Sequence, residues 1–391
     1  MNILFIGINQ RYINATNYYY PSILNRIGNL ICYGPGFISE KELSYGINQF
    51  LKSKNCPDLI VISAQCVINK DASLYNKSLN RYTYVFNKGL VTNEFLVDTE
   101  QFCMQNKAKV ICLITDIDPH VTPQYMIDRL INQSTYFIGW GNGFLNAHHD
   151  MSSLLSEDYV QKKIQKGFEI GLLDRFASQF ADRWINLGHF VADHEFYWSD
   201  LSSRNHDVSI PGSSYNRRKN TIQTIEKDNN IIVSKNRAKY ILKIMDRLGI
   251  KTYSNFYFVN LYNFLFQMQL NNSKICITEG GGNNFPVRKF FEIPASGALM
   301  ACWPSVGLEN LGYKHYENCV YLNTYDDIFE LIISMKNDIT KYEKMANLAR
   351  KHTLDNHSTT ARASQLKESF ERILSNTFLG SYWENGIYHL S

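Results

Sequence analysis

Short apolar runs, repeated at intervals along the chain, constrain the fold more than any other feature of the sequence. Each run has three to six residues, and stretches with a helical pattern separate most of them. This alternation is typical of α/β layering, in which helices cover a mostly parallel sheet. The predicted strands are residues 3–8, 59–63, 110–115, 136–140, 208–210, 274–278, 299–303 and 319–322.

Length and a change of composition divide the chain into two similar-sized α/β domains. Its 391 residues are about two and a half times a typical domain of roughly 150 residues. The segment 193–220 is polar and rich in turn residues, and a strand–loop–helix pattern begins again within it. We therefore predict an N-terminal domain over 1–203, a C-terminal domain over 204–375 and a tail over 376–391. Because the tail is rich in aromatic residues, we expect it to dock on the rest of the protein.

Two long segments have a strong helical pattern. Between about 157 and 184, apolar residues recur every four positions, which predicts one long helix packed against a core. From 326 to about 376 the pattern is again helical, with Thr324 and Asp326 as the predicted cap residues.

Composition and charge exclude several classes of protein. Apolar residues make up 45% of the chain and charged residues 19%, which is not the composition of a disordered or collagenous protein. The net charge of +4 is too small to indicate nucleic-acid binding. No apolar run reaches the roughly 18 residues of a transmembrane helix, and the N-terminus lacks the basic flank of a signal peptide. The eight cysteines include no C-x-x-C pair, so we expect a cytoplasmic protein without structural zinc or disulfides.

A glycine-rich loop follows the predicted strand at 274–278. Three consecutive glycines, 280–282, lead into a predicted helix at about 286–295 that has proline in its first turn. Backbone N–H groups of such a loop bind anions, and an arginine is well shaped to clamp a diphosphate. The alternative is a simple turn before an amphipathic helix. The candidate nucleotide-binding residues here are Glu279, Gly280, Gly281, Arg288, Lys289 and Glu292, the last as an acceptor for ribose hydroxyls.

A second candidate phosphate loop follows the predicted strand at 208–210. Gly212 precedes the hydroxyl side chains of Ser213 and Ser214, and Arg217 follows them. The hydroxyls can donate hydrogen bonds to a phosphate, and the guanidinium can neutralise its charge. The alternative is a solvated basic cluster at 217–219.

Acidic and histidine side chains follow the predicted strand at 110–115. Ligands of α/β sheets bind at the carboxyl ends of the strands, and a general base must reach the hydroxyl that it deprotonates. Asp118 or His120 has suitable chemistry, and Asp116 joins them as a candidate catalytic residue. The alternative is that the aspartates cap the next helix. Position alone places three more side chains near a cleft between the domains: His189, His194 and Glu195.

Several motifs in the second half resemble the donor-site signature of GT-B glycosyltransferases. They are RKFFEIPASGAL at 288–299, GLENL at 307–311, NCVYL at 318–322 with the acidic pair 326–327 after it, and His357 followed by ARA at 361–363. Within that group the pattern is most similar to the CgeB-like "glycosyl transferases group 1" families. Weaker similarity at 33–37 and 57–62 extends into the N-terminal domain. The sequence departs from the commoner group-1 pattern, in which seven residues separate two glutamates, because Glu279 precedes Glu292 by thirteen positions.

The resemblance implies two Rossmann-like domains that face each other across a cleft, with the tail docked back. Arg288 would contact the phosphates of a nucleotide-sugar donor and Glu292 its ribose, while Arg217 would neutralise the leaving group. The N-terminal domain would present the hydroxyl of a glycan, lipid-linked glycan or protein acceptor. No cofactor is implied. The reaction would serve the synthesis of a bacterial surface polysaccharide or glycoconjugate, in the cytoplasm, with peripheral association at the inner face of the membrane left open.

Three other functions stay open. The D-x-D sequence at 116–118 is also the metal and diphosphate ligand of GT-A glycosyltransferases, in which Mg²⁺ or Mn²⁺ neutralises the leaving group. A sugar-nucleotide epimerase has the same two-domain plan. A non-catalytic module that binds a sugar or nucleotide would need neither Asp118 nor His120.

Overall fold

Strands and helices alternate along most of the chain. The computed structural model describes residues 1–9, 16–67, 92–114, 121–141, 172–212, 216–235, 256–280 and 285–391, with a few positions between them (144, 165, 168–170, 237–238, 240–241, 244 and 248). Its strands are β1 Asn2–Ile6, β2 Asn29–Tyr33, β3 Leu59–Ser63, β4 Lys109–Leu113, β5 Val121–Pro123, β6 Tyr136–Gly139, β7 Phe168–Ile170, β8 Trp184–Asn186, β9 His206–Ser209, β10 Val233–Ser234, β11 Ser273–Thr278, β12 Leu299–Cys302, β13 Val320–Tyr321, β14 Ser381–Glu384 and β15 Ile387–Leu390. Its helices are α1 Thr16–Ile27, α2 Glu40–Ser44, α3 Ile47–Leu51, α4 Asn93–Gln105, α5 Gln124–Gln133, α6 Leu172–Gln179, α7 Asn216–Ile225, α8 Phe256–Asn271, α9 Lys289–Ala295, α10 Asp326–Asn337, α11 Ile339–His357 and α12 Thr359–Leu374.

Two parallel sheets form the cores of the two halves. In the described residues, the first sheet has six strands in the order β2-β1-β3-β4-β6-β8 and the second has five in the order β10-β9-β11-β12-β13. Every pair of neighbouring strands within these two sheets is parallel. All five residues of β3 and all four of β12 are buried, as expected where helices cover both faces of a sheet. The predicted α/β architecture with two parallel-sheet domains is confirmed.

Each of the eight predicted strands is present, within a few residues of its predicted bounds. Of the strands in the two parallel sheets, the sequence analysis missed β2, β8 and β10, and outside those sheets it missed β5, β7, β14 and β15. β10 has only two residues, too few for an apolar run. β2 has four apolar residues, 30–33, but it is an edge strand whose side chains are mostly half-buried. The first sheet ends at Asn186 and the second begins at His206, while the exact boundary at 203 stays a prediction.

The prediction of one helix over 157–184 is wrong. Within that range, Phe168–Ile170 pairs with β5 as an antiparallel strand, α6 covers only Leu172–Gln179, and Trp184–Asn186 is a strand of the first sheet. Apolar residues four apart fit a strand as well as a helix, because four is an even number of residues and keeps the side chains on one face of a strand. The described part of the segment contains both a helix and strands.

The helical pattern from 326 to 376 is confirmed, but as three helices. Asp338 caps α11 through a hydrogen bond from the Lys341 N–H. Tyr325 immediately precedes α10 and makes no side-chain cap bond. Of the two predicted cap residues, Thr324 bonds the first turn: the Asp327 N–H donates to Thr324 Oγ1, and the Thr324 N–H donates to Asp327 Oδ2. This reciprocal pair is a capping box. None of the helices among the described residues is both long and apolar enough to cross a membrane.

The C-terminal tail docks on the first domain, as predicted. β14 and β15 form an antiparallel hairpin, and its turn residues Asn385 and Gly386 have φ of 49° and 82°, as a tight hairpin turn requires. The Trp383 indole N–H donates to the Asn186 carbonyl at 2.7 Å, and the Asn186 N–H donates to Ser381 Oγ at 2.7 Å. The hairpin therefore covers the edge strand β8.

Helix α12 and the segment between the two sheets join the two domains. α12 packs against α1 of the first domain. The Val191 N–H donates to the His357 carbonyl at 3.1 Å, and buried Arg362 donates to the His189 carbonyl at 3.2 Å. The His357 and Arg362 motif therefore holds the inter-domain segment in place.

Candidate functional site

Three segments meet at the carboxyl edge of the second sheet: the loop after β9, the loop after β11 and the start of α9. Gly212, in the loop after β9, has φ of 91°. A Cβ atom there would lie 2.2 Å from Cε of Lys289, the first residue of α9. Only glycine combines this backbone conformation with room for the lysine side chain. The predicted helix start at 286 is corrected to Lys289, so that Arg288 stands just before the helix.

Arg218 ties α7 to the end of β11. Its side chain is buried, and its Nη2 donates to the Glu279 carbonyl at 3.1 Å. Its Nε lies 3.8 Å from Glu279 Oε1. The sequence analysis named Arg217, which lies half-buried over the Trp303 ring at 5.6 Å. The helical period could have identified Arg218, because it shares the buried face of α7 with Thr221, three positions on.

Lys289 brings a positive charge without a counter-ion to this edge. Among the residues that the structure describes, its ammonium forms neither an ion pair nor a hydrogen bond. Lys289 is half-buried, and partial burial together with the neighbouring Arg218 guanidinium lowers its pKa to about 8, against the effect of Glu292. An ammonium that is partly removed from water is costly unless an anion accompanies it. The position therefore suits an anionic ligand.

Glu279 is buried behind Arg218 at the end of β11. One of its carboxylate oxygens, Oε2, accepts no hydrogen bond from any described residue. Burial raises the pKa of this carboxyl, while Arg218 and Arg217 act in the opposite direction. Gly280 follows it and is also buried. The edge thus has a hydrogen-bond acceptor, the Glu279 carboxylate, beside its cations. This arrangement suits a ligand that carries hydroxyl groups as well as phosphate.

Arg288, next to Lys289, has its hydrogen-bonding groups occupied. Its Nη2 donates to Glu195 at 2.5 Å, its Nη1 donates to Glu292 and its Nε donates to the Phe190 carbonyl at 3.2 Å. Burial alone would lower the pKa of Arg288, but the two carboxylates hold it above its ordinary value. Arg288 therefore fastens α9 to the inter-domain segment that contains Glu195. The predicted phosphate contact of Arg288 and ribose contact of Glu292 stay predictions, and this geometry gives both side chains structural partners.

First-domain side chains pack around the same junction. The Tyr19 ring lies 6.0 Å from the Arg288 guanidinium, and Trp140, just after β6, stacks on Phe291 of α9 at 6.3 Å between ring centroids. His189 is half-buried, and burial together with Arg288 lowers its pKa to about 3, so it is neutral near pH 7. His189 Nδ1 lies 3.0 Å from Thr16 Oγ1 of α1, Glu195 accepts from Arg288, and His194 is exposed. The prediction that these three residues line a cleft stays a prediction.

Six of the predicted site residues lie outside the described part of the chain. They are the catalytic candidates Asp116, Asp118 and His120 and the loop residues Ser213, Ser214 and Gly281. Their roles stay predictions. Among the described residues, no group of three or more His, Cys, Asp or Glu side chains could hold a metal ion.

The described edge can hold a phosphorylated ligand. Arg217, Arg218 and Lys289 bring three positive charges to this edge, where Glu279 lies beside the two arginines and Glu292 acts on Lys289. α7 begins directly after the loop that contains Gly212, and the first N–H groups of a helix have no partner within the helix. Preorganised cations and N–H donors stabilise a departing phosphate.

Comparisons with known proteins agree with this description. Residues 254–368 match the family described as "Glycosyl transferase-like". The match includes Glu279, Lys289 and Arg288, whereas Gly212 and Arg218 lie before it. No curated protein matches the chain significantly.

Solved structures share the fold of the whole chain. Sucrose-phosphate synthase from Thermosynechococcus elongatus has a TM-score of 0.51 at 9% identity, over 96% of this chain and 100% of that one. The Anabaena HepE protein, solved in complex with UDP-glucose, has a TM-score of 0.51 at 10% identity, over 95% of this chain and 99% of that one. A glycosyltransferase from Rickettsia africae has a TM-score of 0.50 at 11% identity, over 96% of this chain and 99% of that one. The fold predicted from the motifs is confirmed, while the CgeB-like subgroup stays a prediction. Residues 254–368 therefore resemble the glycosyl transferase-like family, and the chain has the GT-B fold.

Proposed function

We propose that the protein transfers a sugar from a nucleotide-sugar donor to an acceptor hydroxyl and binds the donor diphosphate at the carboxyl edge of its second sheet. The observation that carries this proposal is the Lys289 ammonium. It is half-buried beside Arg218 and against Gly212, with no ion-pair partner among the described residues. A diphosphate would supply the missing negative charge.

The chemistry follows from the charges at this edge. When the glycosidic bond to the donor phosphate breaks, negative charge develops on the departing diphosphate. Lys289, Arg218 and Arg217 would stabilise that charge, and they do not need to reorganise because the fold already holds them in place. The proton of the acceptor hydroxyl would leave to a base from the first domain, for which Asp118, His120 and Asp116 remain our candidates.

Arg288 has a positioning role in this proposal. It links α9, which contains Lys289, to Glu195 of the inter-domain segment. Glu292 completes this link from one turn further along α9. Both residues would thus hold Lys289 in place rather than contact the phosphates.

The donor and acceptor classes are also part of the proposal. A uridine diphosphate sugar is the first donor to test, because HepE, which shares the fold, was solved with UDP-glucose. We propose a glycan, lipid-linked glycan or protein acceptor in the synthesis of a bacterial surface polysaccharide or glycoconjugate. The eight cysteines are free thiols in the structure, which agrees with a reducing compartment such as the cytoplasm.

A thermal-shift panel tests the proposal directly. UDP, GDP, dTDP, CMP and ADP are each added with Mg²⁺ and with EDTA. We expect a rise in melting temperature with one nucleotide, unchanged by EDTA, because ligands that bind only the folded protein stabilise it. A rise that EDTA abolishes would favour a metal site at Asp116 and Asp118. No rise with any nucleotide would refute donor binding and favour a module that binds another ligand.

A further inference from the structure

Helix α8, Phe256–Asn271, has an apolar face toward solvent as well as an apolar face toward the core. Val259, Tyr262, Phe266 and Leu270 are buried on one side. On the opposite side, Leu261, Phe264 and Met268 are 41%, 56% and 39% exposed. Tyr257, four residues before Leu261, is exposed as well. These four residues, the outer stripe, are spaced by four, three and four positions, so they lie on one face of the helix.

The outer stripe is unusual for a helix on the surface of a domain. Such helices normally place charged residues opposite the core, but none of the sixteen residues of α8 is charged. Single exposed apolar residues are common, whereas a contiguous set marks an interaction surface. The stripe is therefore suited to contact something less polar than water.

The chain just before α8 is strongly basic. Residues 235–251 contain six Lys or Arg and one Asp. Of the basic residues that the structure describes, Lys235 and Arg237 are exposed. The same stretch exposes Tyr240, Ile244 and Leu248, four residues apart, so apolar and basic side chains are interleaved there too.

We propose that the outer stripe of α8, together with the exposed Lys235 and Arg237 before it, forms a docking surface for an anionic lipid membrane. Basic residues beside exposed aromatic and aliphatic side chains are typical of segments that lie in the headgroup region, where the apolar groups insert and the cations contact anionic lipids. A second copy of this chain fits the surface less well, because it would bring two strongly basic stretches together. This surface belongs to the second domain and does not depend on any substrate of the proposed transfer reaction.

Binding of the whole chain to lipid vesicles tests the proposal. The probes are vesicles of phosphatidylcholine alone and of phosphatidylcholine mixed with phosphatidylglycerol, each at low and high salt, with bound protein separated by flotation. We expect binding to the anionic vesicles at least roughly tenfold tighter than to the neutral ones, and weaker in high salt because salt screens the attraction. Equal binding to both kinds of vesicle, or to neither, would overturn the proposal.

Matched variants locate the surface. Leu261→Ser combined with Phe264→Ser should weaken binding to anionic vesicles by about tenfold or more, because two inserted side chains are lost. Lys235→Glu combined with Arg237→Glu should weaken it to a similar extent. Leu348→Ser, on α11 and 55% exposed, is the matched control and should change nothing. Circular dichroism and melting temperature establish folding, and Phe264→Ser alone replaces the double variant if that variant is unstable.

Two results would contradict this assignment. The first is vesicle binding by the Leu261 and Phe264 variant that equals that of the wild type. The second is a wild-type dimer in light scattering that this variant converts to a monomer, without vesicle binding by either protein. That second result would assign the surface to another copy of the chain.

Discussion

Two groups of charged side chains lie next to each other at the start of α9, one around the buried Arg288 and one around the half-buried Lys289. They differ in how many of their charges are paired. In the Arg288 group, one guanidinium serves two carboxylates and one carbonyl. In the Lys289 group, the ammonium has no anion among the described residues and one oxygen of Glu279 accepts no hydrogen bond there.

This difference separates a structural role from a binding role. A buried ion pair whose hydrogen bonds are complete holds elements together, and removing one partner leaves the others without a counter-ion. A cation that is partly removed from water without an anion is destabilising in the free protein, and a ligand can relieve that cost. We therefore propose different functions for these neighbouring residues of one motif.

The largest effect that we expect is the loss of stability in Arg288→Met. The change leaves the Glu195 and Glu292 carboxylates buried without their cation, so the free energy of unfolding should fall by about 3–5 kcal/mol. Urea unfolding followed by tryptophan fluorescence measures it.

Arg217→Met is the control for the arginine change. Arg217 is half-buried over the Trp303 ring, an interaction worth about 0.5–1 kcal/mol, so its removal should cost much less. If Arg288→Met instead kept its stability and lost nucleotide affinity, Arg288 would belong to the binding group and the comparison would fail.

The next effect concerns nucleotide binding by Lys289→Met. Loss of a charge-assisted contact to phosphate should weaken binding by about 1.5–3 kcal/mol, measured by calorimetry with the nucleotide that the thermal-shift panel identifies. Stability should be kept or should rise, because an unpaired, half-buried charge is replaced by an apolar side chain. Lys274→Met is the matched control, since Lys274 lies near the amino end of β11 and pairs with Asp207 at 3.3 Å. Equal nucleotide affinity in Lys289→Met and wild type would exclude Lys289 from the site.

Local sequence patterns predicted the two parallel sheets and singled out two members of the Lys289 group, Glu279 and Lys289. A short buried strand has a continuous apolar run and a polar residue at its carboxyl end, so both the strands and Glu279 could be identified from neighbouring residues. Lys289 was identified through its place after the glycine-rich loop. The helix over 157–184 failed because apolar residues four apart fit two kinds of secondary structure.

Contacts between distant segments could not be predicted. Glu195 and Arg288 are 93 positions apart, and no local pattern indicates that the inter-domain segment supplies a carboxylate to α9. Without that partner, Arg288 has the properties of a phosphate ligand, which is how the sequence analysis interpreted it. The choice between Arg217 and Arg218 similarly depends on which face of α7 meets the sheet.

The smallest effect, the pH dependence of nucleotide binding, sharpens the comparison because only one of the two cations should titrate. The carboxylates hold the pKa of Arg288 above its ordinary value, whereas burial lowers that of Lys289 to about 8. A bound phosphate favours charged Lys289, so its contribution to binding is fully present below pH 8 and is lost as the pH rises through that value. With a pKa of about 8, nucleotide affinity should fall about tenfold between roughly pH 7 and pH 9. That range lies above the second phosphate pKa of about 6, so the phosphate groups of the nucleotide keep their charge.

Lys289→Arg is the control for this pH dependence, because its side chain stays charged throughout the range. This variant should flatten the profile, and an equal fall in its affinity would assign the titration to another group.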